Sequence, residues 1–166
     1  YYYVILSIGM PPDNVKFKFF KLSAYMPMLF LVAMGFSLLF FRLYPVRISH
    51  HFEIIVGVGV MLFVLGSYLV IASEKTRHTM FAFSENLTCY DFATGIFKRS
   101  RHPGTLGFLL LFLGFACFLN SYAVLFTVIL HFLLLSFVFI PLMEREIIKY
   151  CGEPYVEYMH TVRMWI

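Results

Sequence analysis

The sequence predicts an all-α integral membrane protein with about four transmembrane helices, and three observations support that prediction. Hydrophobic residues make up 61% of the chain and charged residues only 13%, whereas about a quarter of the residues in a soluble domain are charged. Apolar runs long enough to span a bilayer recur along the chain, separated by polar breaks. A soluble domain of 166 residues leaves roughly a third of its unfolded-chain surface wet, so this much apolar surface requires lipid as its solvent.

We predict a single membrane domain over residues 1–166, because the length suits one domain and no internal repeat is present. Its parts follow in order: an interfacial lead-in (1–21), two spans (22–73), a polar loop (74–102), a helical hairpin (103–142) and a C-terminal cap (143–166).

Each predicted helix is defined by an apolar run and by the polar, Gly or Pro residues that bound it. The first span is Leu22 to Tyr44, and the second runs from about Glu53 to Ser73 with glycines that allow close helix contact, namely Gly57, Gly59 and Gly66. The third span runs from Pro103 to about Leu119, Asn120-Ser121 turns the chain, and the fourth runs from about Tyr122 to Leu142. The amphipathic cap helix covers Glu144 to Tyr150 and stops at Gly152. Tyr155, Tyr158 and Trp165 are predicted to be interfacial anchors.

Four spans place the lead-in, the polar loop and the cap on one side of the membrane. That side carries most of the Lys and Arg residues, whereas the opposite side carries only Arg42 and Arg47. The positive-inside rule therefore predicts that loop 74–101 and both ends face the cytosol or the mitochondrial matrix, from the endoplasmic reticulum or the mitochondrial inner membrane. The same topology makes Arg101-His102-Pro103 and Glu144 neighbours, in a pocket open to water above and to lipid beside.

Charge and cysteine usage exclude several functions. The net charge of +4 is too small and too scattered to indicate nucleic-acid binding. Cys89, Cys117 and Cys151 show neither paired nor metal-like spacing, so the sequence predicts no disulfide framework and no metal site.

Arg101-His102-Pro103 is the most informative stretch of the chain. Pro103 has no N–H to lose and is pre-set for the first turn of a helix. The free N–H groups of that turn, with an Arg and a His beside them, suit an anionic or carboxylate-bearing ligand. We therefore predict chemistry or binding at a membrane surface.

Part of the chain resembles a known family through a series of short motifs. They are, in order, Thr94-Gly95-Ile96-Phe97, Arg101-His102-Pro103, Gly107, an apolar hairpin, an acidic residue, Gly152 and Tyr155-Val156-Glu157-Tyr158. This order resembles the isoprenylcysteine carboxyl methyltransferase family, whose wider group includes membrane methyltransferases that act on phospholipids. The resemblance covers about residues 86 to 166.

The resemblance implies an enzyme that binds S-adenosylmethionine in the pocket under the loop and the cap. It would methylate a lipid-borne acceptor that enters sideways from the bilayer. The cofactor-binding residues that it implies are Tyr90, Asp91, Phe97, Arg101, His102, Pro103 and Glu144. We assign His102 a binding and orienting role, and no residue is assigned to proton transfer.

Four positions depart from the family pattern. Phe97 and Thr105 stand where the family has tyrosines, and Phe139 stands where it has an arginine near the substrate. The carboxylate that the family uses for the cofactor falls on Met143, and Glu144 replaces it only if the helix turns by one residue.

A second family shares part of the signature. Membrane sterol and steroid reductases carry a Ser-Arg-His-Pro-Asn-Tyr-x-Gly-Glu segment, to which Ser100-Arg101-His102-Pro103 is similar. Phe108 stands where that pattern has Glu, and Gly104-Thr105 where it has Asn-Tyr, so the methyltransferase resemblance is the stronger.

Two functions of different classes therefore stay open. The first is S-adenosylmethionine-dependent methylation of a lipidic acceptor, either an isoprenylcysteine carboxylate or a phospholipid amine. The second is a non-catalytic accessory subunit of a larger membrane complex, which kept the fold, lost the site and needs no cofactor; a mitochondrial location suits it. Membrane lipids are the expected partners in both, and other membrane subunits in the second.

Overall fold

The computed structural model describes residues 32, 35–36, 38–39, 47–48, 51–82 and 93–166 of the chain. The lead-in and most of the first predicted span lie outside these residues, and so do Tyr90 and Asp91 of the predicted cofactor set. The described residues of the first span are helical.

The described part of the chain is a series of helices with no β-strand. The elements are α1 (Phe52–Ala82), a 3-10 turn (Gly95–Lys98), α2 (Pro103–Leu119), α3 (Tyr122–Leu134), a π turn (Leu135–Phe139), α4 (Ile140–Cys151) and α5 (Glu153–Thr161). Two helical stretches are long and apolar enough to cross a membrane, namely Phe52–Thr76 and Tyr122–Lys149, and α2 is a shorter apolar helix. The all-helical prediction is thus confirmed for these residues.

Helix α1 is longer than the predicted second span. It continues past Ser73 to Ala82 and so takes in the beginning of the segment that we expected to be loop. The sequence from Glu74 to Ala82 contains neither Gly nor Pro, so nothing in it breaks the helix when the apolar run ends.

Small residues let α1 and α2 pack closely in antiparallel orientation. A Cβ built on Gly66 would lie 2.7 Å from the carbonyl oxygen of Gly107, and one built on Gly114 would lie 2.8 Å from that of Gly59. Such contacts allow two backbones to meet without side chains between them. The prediction of close contact is confirmed for Gly59 and Gly66, whereas Gly57 has none of the described residues within 4 Å of its built Cβ.

The turn between α2 and α3 forms where Asn120-Ser121 predicts it. Asn120 has a φ of 48°, in the left-handed region that Asn tolerates, and its N–H caps α2 on the carbonyls of Ala116 and Cys117. The N–H of Ile48 donates to the carbonyl of Asn120 at 3.2 Å. The turn is therefore fixed by the α2 cap and by a segment that precedes α1.

The C-terminal cap folds back on itself at Gly152. This glycine has a φ of 63°, its N–H donates to the carbonyl of Ile148 at 2.7 Å, and α5 starts immediately after it. Tyr155 and Tyr158 are 3% and 7% exposed and form a cluster with Val162. The prediction that these tyrosines are interfacial anchors is therefore wrong, because they form the core of the cap.

The cysteines also differ from the prediction. Cys117 is free, whereas Cys151, the last residue of α4, is disulfide-bonded. The spacing of the cysteines in the sequence gave no signal for this bond.

Candidate functional site

Arg101-His102-Pro103 stands between the 3-10 turn and α2, on the polar side of the helices. His102 is the residue before the helix, and its carbonyl accepts the N–H of Leu106 at 3.0 Å, which opens the first turn. Pro103 occupies the first helical position, as predicted, and is fully buried. The side chains of Arg101 and His102 are therefore held at the point where α2 begins.

Glu144 of α4 meets both of these side chains. Its Oε1 atom lies 2.9 Å from Nε2 of His102 and 3.3 Å from Nε of Arg101. The three side chains are 6%, 7% and 10% exposed for Glu144, His102 and Arg101 respectively. The prediction that the start of the third span and the end of the fourth are neighbours is confirmed, and we call these three residues the Arg-His-Glu cluster.

The two contacts of Glu144 differ in kind. The contact with His102 is a hydrogen bond, whereas Nε of Arg101 is close enough for an ion pair but is not directed for a hydrogen bond. This buried Nε has no hydrogen-bond partner within the described part of the chain. A buried carboxylate is stabilised only when it is paired, so the burial of Glu144 requires His102 and Arg101 beside it. The N–H at Nε of Arg101 remains available as a hydrogen-bond donor to a ligand.

The chain's C-terminal residues hold the backbone of the cluster. The N–H of Arg101 donates to the carbonyl of Arg163 at 3.0 Å, and Ser100 Oγ donates to the carbonyl of Met164 at 3.1 Å. Ser100 Oγ also accepts the N–H of His102 at 3.3 Å. These hydrogen bonds fix where the chain enters α2, so the tail is part of the site's support.

Helix α5 contributes a further hydrogen bond to the segment before the cluster and two buried tyrosines near it. The hydroxyl of Tyr158 donates to the carbonyl of Phe97 at 2.8 Å. Burial raises the pKa of Tyr158 to about 12, opposed by the charge of Arg101 and assisted by that of Glu144. Burial also raises the pKa of Tyr155, with a further increase from Glu144 and an opposing effect from Arg101. Both tyrosines are therefore close enough to feel the charges of the cluster.

The structure brings together only part of the predicted cofactor set. Arg101, His102, Pro103 and Glu144 are adjacent, while Phe97 contributes its carbonyl to the tie with Tyr158. Glu144 is the acidic residue at the cluster, 5% exposed, and Met143 beside it is half-buried. Thr105 lies in the first turn of α2 and Phe139 ends the π turn, and both are half-buried.

Sequence reasoning missed a serine beneath the start of α2. Ser73 of α1 is fully buried, and its Oγ has no hydrogen-bond partner among the described residues. A Cβ on Gly104 would lie 2.6 Å from this oxygen, so a larger residue at position 104 would require the Ser73 hydroxyl to move. The usable signal was the spacing of Gly59, Gly66 and Ser73 at seven-residue intervals, which places all three on one helix face.

The helical fold, with two helices long and apolar enough to cross a membrane, is consistent with one class of protein, the membrane methyltransferases. A sequence profile described as Phospholipid methyltransferase matches residues 54–151, which is more than half of the chain. The chain therefore belongs to the phospholipid methyltransferase family. No curated protein and no solved structure matches it.

The extent of the family match differs from that of the resemblance in the sequence. The match starts in α1 and ends at the last residue of α4, whereas the resemblance begins at about residue 86 and includes Tyr155 and Tyr158. The matched region contains the whole α1–α2 contact and all three residues of the cluster. The family assignment thus covers both the scaffold and the candidate site.

Proposed function

We propose that this chain methylates a lipid-borne acceptor with S-adenosylmethionine, which it binds at the Arg-His-Glu cluster. One observation carries the proposal: a buried carboxylate, Glu144, is held against an Arg and a His where the helices meet the polar cap. Membership of the phospholipid methyltransferase family supports it, because methyltransferases of this family use S-adenosylmethionine.

The cluster residues fit this cofactor by their chemistry. S-adenosylmethionine carries a carboxylate, an ammonium and a sulfonium. A guanidinium suits a carboxylate, and Nε of Arg101 is a buried donor that lacks a hydrogen-bond partner in the described residues. Glu144 is an anion that suits a cation. We propose that Arg101, His102 and Glu144 hold the cofactor, which when bound supplies a methyl group activated by the positive sulfur.

The chain's own contribution is positioning and electrostatics. Glu144 places a fixed negative charge in a site of low polarity, where charges interact more strongly than in water. His102, hydrogen-bonded to Glu144 at 2.9 Å, orients that carboxylate. The buried tyrosines of α5 exclude water from one side of the cluster. These effects suit methyl transfer, in which alignment of the reactants is the main requirement.

The acceptor would arrive from the lipid. Val138 and Leu142, on the helix that carries Glu144, are 47% and 41% exposed, and large apolar side chains exposed this close to a polar site suit acyl or prenyl chains. Two acceptors fit the site, a phospholipid amine and an isoprenylcysteine carboxylate. Membrane lipids are therefore the partners that we propose.

We propose about four spans, with loop 74–101 and both ends on the cytosolic or matrix side. The endoplasmic reticulum and the mitochondrial inner membrane both satisfy that orientation. Labelling of single cysteines introduced at Lys98 and at Arg47 in sealed vesicles tests it. The first position is expected to react only from the cytosolic or matrix side and the second only from the opposite side.

Direct binding tests the proposed function. The purified chain in lipid nanodiscs is titrated with S-adenosylmethionine and with S-adenosylhomocysteine in a calorimeter. We expect binding that His102→Ala abolishes and that His160→Ala leaves unchanged, because His160 is exposed on α5. Absence of binding at millimolar ligand would contradict the proposal and favour the non-catalytic subunit.

A methylation assay identifies the acceptor. Nanodiscs containing an aminophospholipid are compared with nanodiscs that lack it but receive a prenylated cysteine substrate. Methyl transfer in the first arm alone would identify a phospholipid amine, and transfer in the second alone a carboxylate. Transfer in neither arm, despite cofactor binding, would contradict both acceptors.

A further inference from the structure

The helix that carries Glu144 changes register before it reaches the site. The stretch Tyr122–Lys149 is continuous, and its first buried residues recur every three or four positions. They are Val124, Val128, His131 and Leu135. The next buried residues, Ile140 and Glu144, follow after a step of five positions. A regular α-helix would continue the buried face through position 139 to positions 142 and 143.

The π turn produces this change. The N–H of Ile140 donates to the carbonyl of Leu135, five residues back, whereas an α-helix bonds four residues back. One additional residue is thereby absorbed in the turn, which rotates each later side chain by about 100° relative to an uninterrupted α-helix.

Pro141 explains why the turn forms here. It has no N–H to offer to the carbonyl of Phe137, and its ring would press on that carbonyl in a regular α-helix. The wider π turn directly before it relieves this contact. The position of Pro141 in the sequence therefore accounts for the π turn observed at Leu135–Phe139.

We propose that the π turn is a register device that brings Glu144, instead of Met143, to Arg101 and His102. Without the additional residue the thioether of Met143 would face these two side chains and would leave them without a counter-charge. Pro141 and the π turn are positioning elements, and Glu144 is the residue that they position. The part of this inference that concerns cofactor affinity rests on the proposed function. The part that concerns the contacts among Arg101, His102 and Glu144 does not, because those contacts exist without a cofactor.

Two single-residue deletions in the same helix test the device. Val138 lies inside the π turn, so its removal takes out the additional residue. It is combined with Pro141→Ala, because the proline would otherwise favour a wide turn again, and the regular helix that results presents Glu144 at an unchanged angle. Leu142 lies after the turn, so its removal leaves the turn in place and rotates Glu144 away by about 100°. Both residues are exposed, at 47% and 41%, so the deletions are matched in burial and in chemistry.

The readout is the coupling between Glu144 and His102 in unfolding, measured with E144Q, H102Q and the double variant in each background in nanodiscs. We expect the coupling of the intact chain to persist after deletion of Val138 and to vanish after deletion of Leu142. Affinity for S-adenosylhomocysteine should follow the same order, with a loss of about tenfold or more only for the Leu142 deletion.

Coupling that survives deletion of Leu142, or that is lost on deletion of Val138, would overturn the proposal. If no background binds S-adenosylhomocysteine but the coupling follows the expected order, the proposed function fails and the register device stands. A variant of unchanged length keeps the test usable if a deletion prevents folding. The M143E/E144M double variant moves the carboxylate to position 143, which in this register faces away from His102. H102Q should therefore change the stability of M143E/E144M no more than it changes that of E144M, and a larger effect would overturn the proposal.

Discussion

The hydroxyl of Tyr158 donates a 2.8 Å hydrogen bond to the carbonyl oxygen of Phe97. This contact joins α5, the last of the described helices, to the 3-10 turn that precedes the Arg-His-Glu cluster. The hydrogen bond connects the C-terminal cap to the segment that positions Arg101. The stability of the cap and the geometry of the site therefore depend on each other.

Removing this hydroxyl should weaken the cap. Tyr158→Phe keeps the ring in its cluster but leaves a half-buried carbonyl without its donor, which costs about 1–3 kcal/mol. Chemical unfolding followed by circular dichroism measures the loss. The matched control is Tyr122→Phe, whose hydroxyl donates to Ile48 at 3.3 Å in an exposed position, and whose loss water can compensate. Equal losses in the two variants would contradict the structural role of Tyr158.

Alkaline pH should destabilise the cap in a definite window. Burial raises the pKa of Tyr158 from 10.0 to about 12, so the folded state favours the neutral phenol. This contribution to stability is fully present below pH 10 and is lost as the pH rises through about 12. Ultraviolet absorbance of tyrosinate, taken as the difference between the intact chain and Tyr158→Phe, measures the ionisation. A midpoint near pH 10 in this difference would contradict the buried environment.

The fold was predictable because its causes are local. Pro103 starts α2, Asn120 and Gly152 end helices in conformations that suit Asn and Gly, and apolar runs define the long helices. The proximity of Arg101 and Glu144 also followed, since an antiparallel helical hairpin brings its two ends together.

Other features depend on tertiary contacts that a single sequence does not display. The sequence resemblance puts its acidic position at Met143, whereas Glu144 is the residue that contacts Arg101 and His102. The π turn at Leu135–Phe139, which precedes both, is not visible in the residue spacing. Tyr155 and Tyr158 are of a residue type that is common among interfacial anchors, yet residues of α4 and α5 bury them. Ser100 gave no signal because its partner, Met164, is distant in the chain.

The α1–α2 contact gives a prediction about stability. A Cβ on Gly66 would lie 2.7 Å from the carbonyl oxygen of Gly107 and 2.8 Å from the N atom of Leu111, so Gly66→Ala must push two backbones apart. We expect a loss of about 1–3 kcal/mol. The thermal unfolding midpoint in nanodiscs measures it.

Gly57→Ala is the control on the same helix. No atom of the described part of the chain lies within 4 Å of its built Cβ, so alanine there should be neutral or should stabilise the helix by up to about 1 kcal/mol. A loss for Gly57→Ala as large as that for Gly66→Ala would show that helix propensity, and not the contact with α2, controls the effect.

The two neighbouring glutamates of α4 should respond differently to neutralisation. Glu144→Gln removes the only carboxylate that contacts Arg101 and His102 among the described residues. Breaking a buried pair in this way costs about 3–5 kcal/mol, because the remaining charge stays buried. Glu146 instead pairs with Lys149 at 2.6 Å, and the Lys149 side chain is 70% exposed. Glu146→Gln should cost less than about 0.5 kcal/mol.

Salt separates the two pairs further. Added salt screens exposed charges much more than buried ones, so the small effect of Glu146→Gln should disappear at high ionic strength while that of Glu144→Gln persists. Denaturant unfolding at low and high salt measures both variants under the same conditions. A loss for Glu144→Gln that salt abolishes would mean that the carboxylate is solvated, and a solvated Glu144 would no longer provide the fixed charge on which the proposed cofactor site depends.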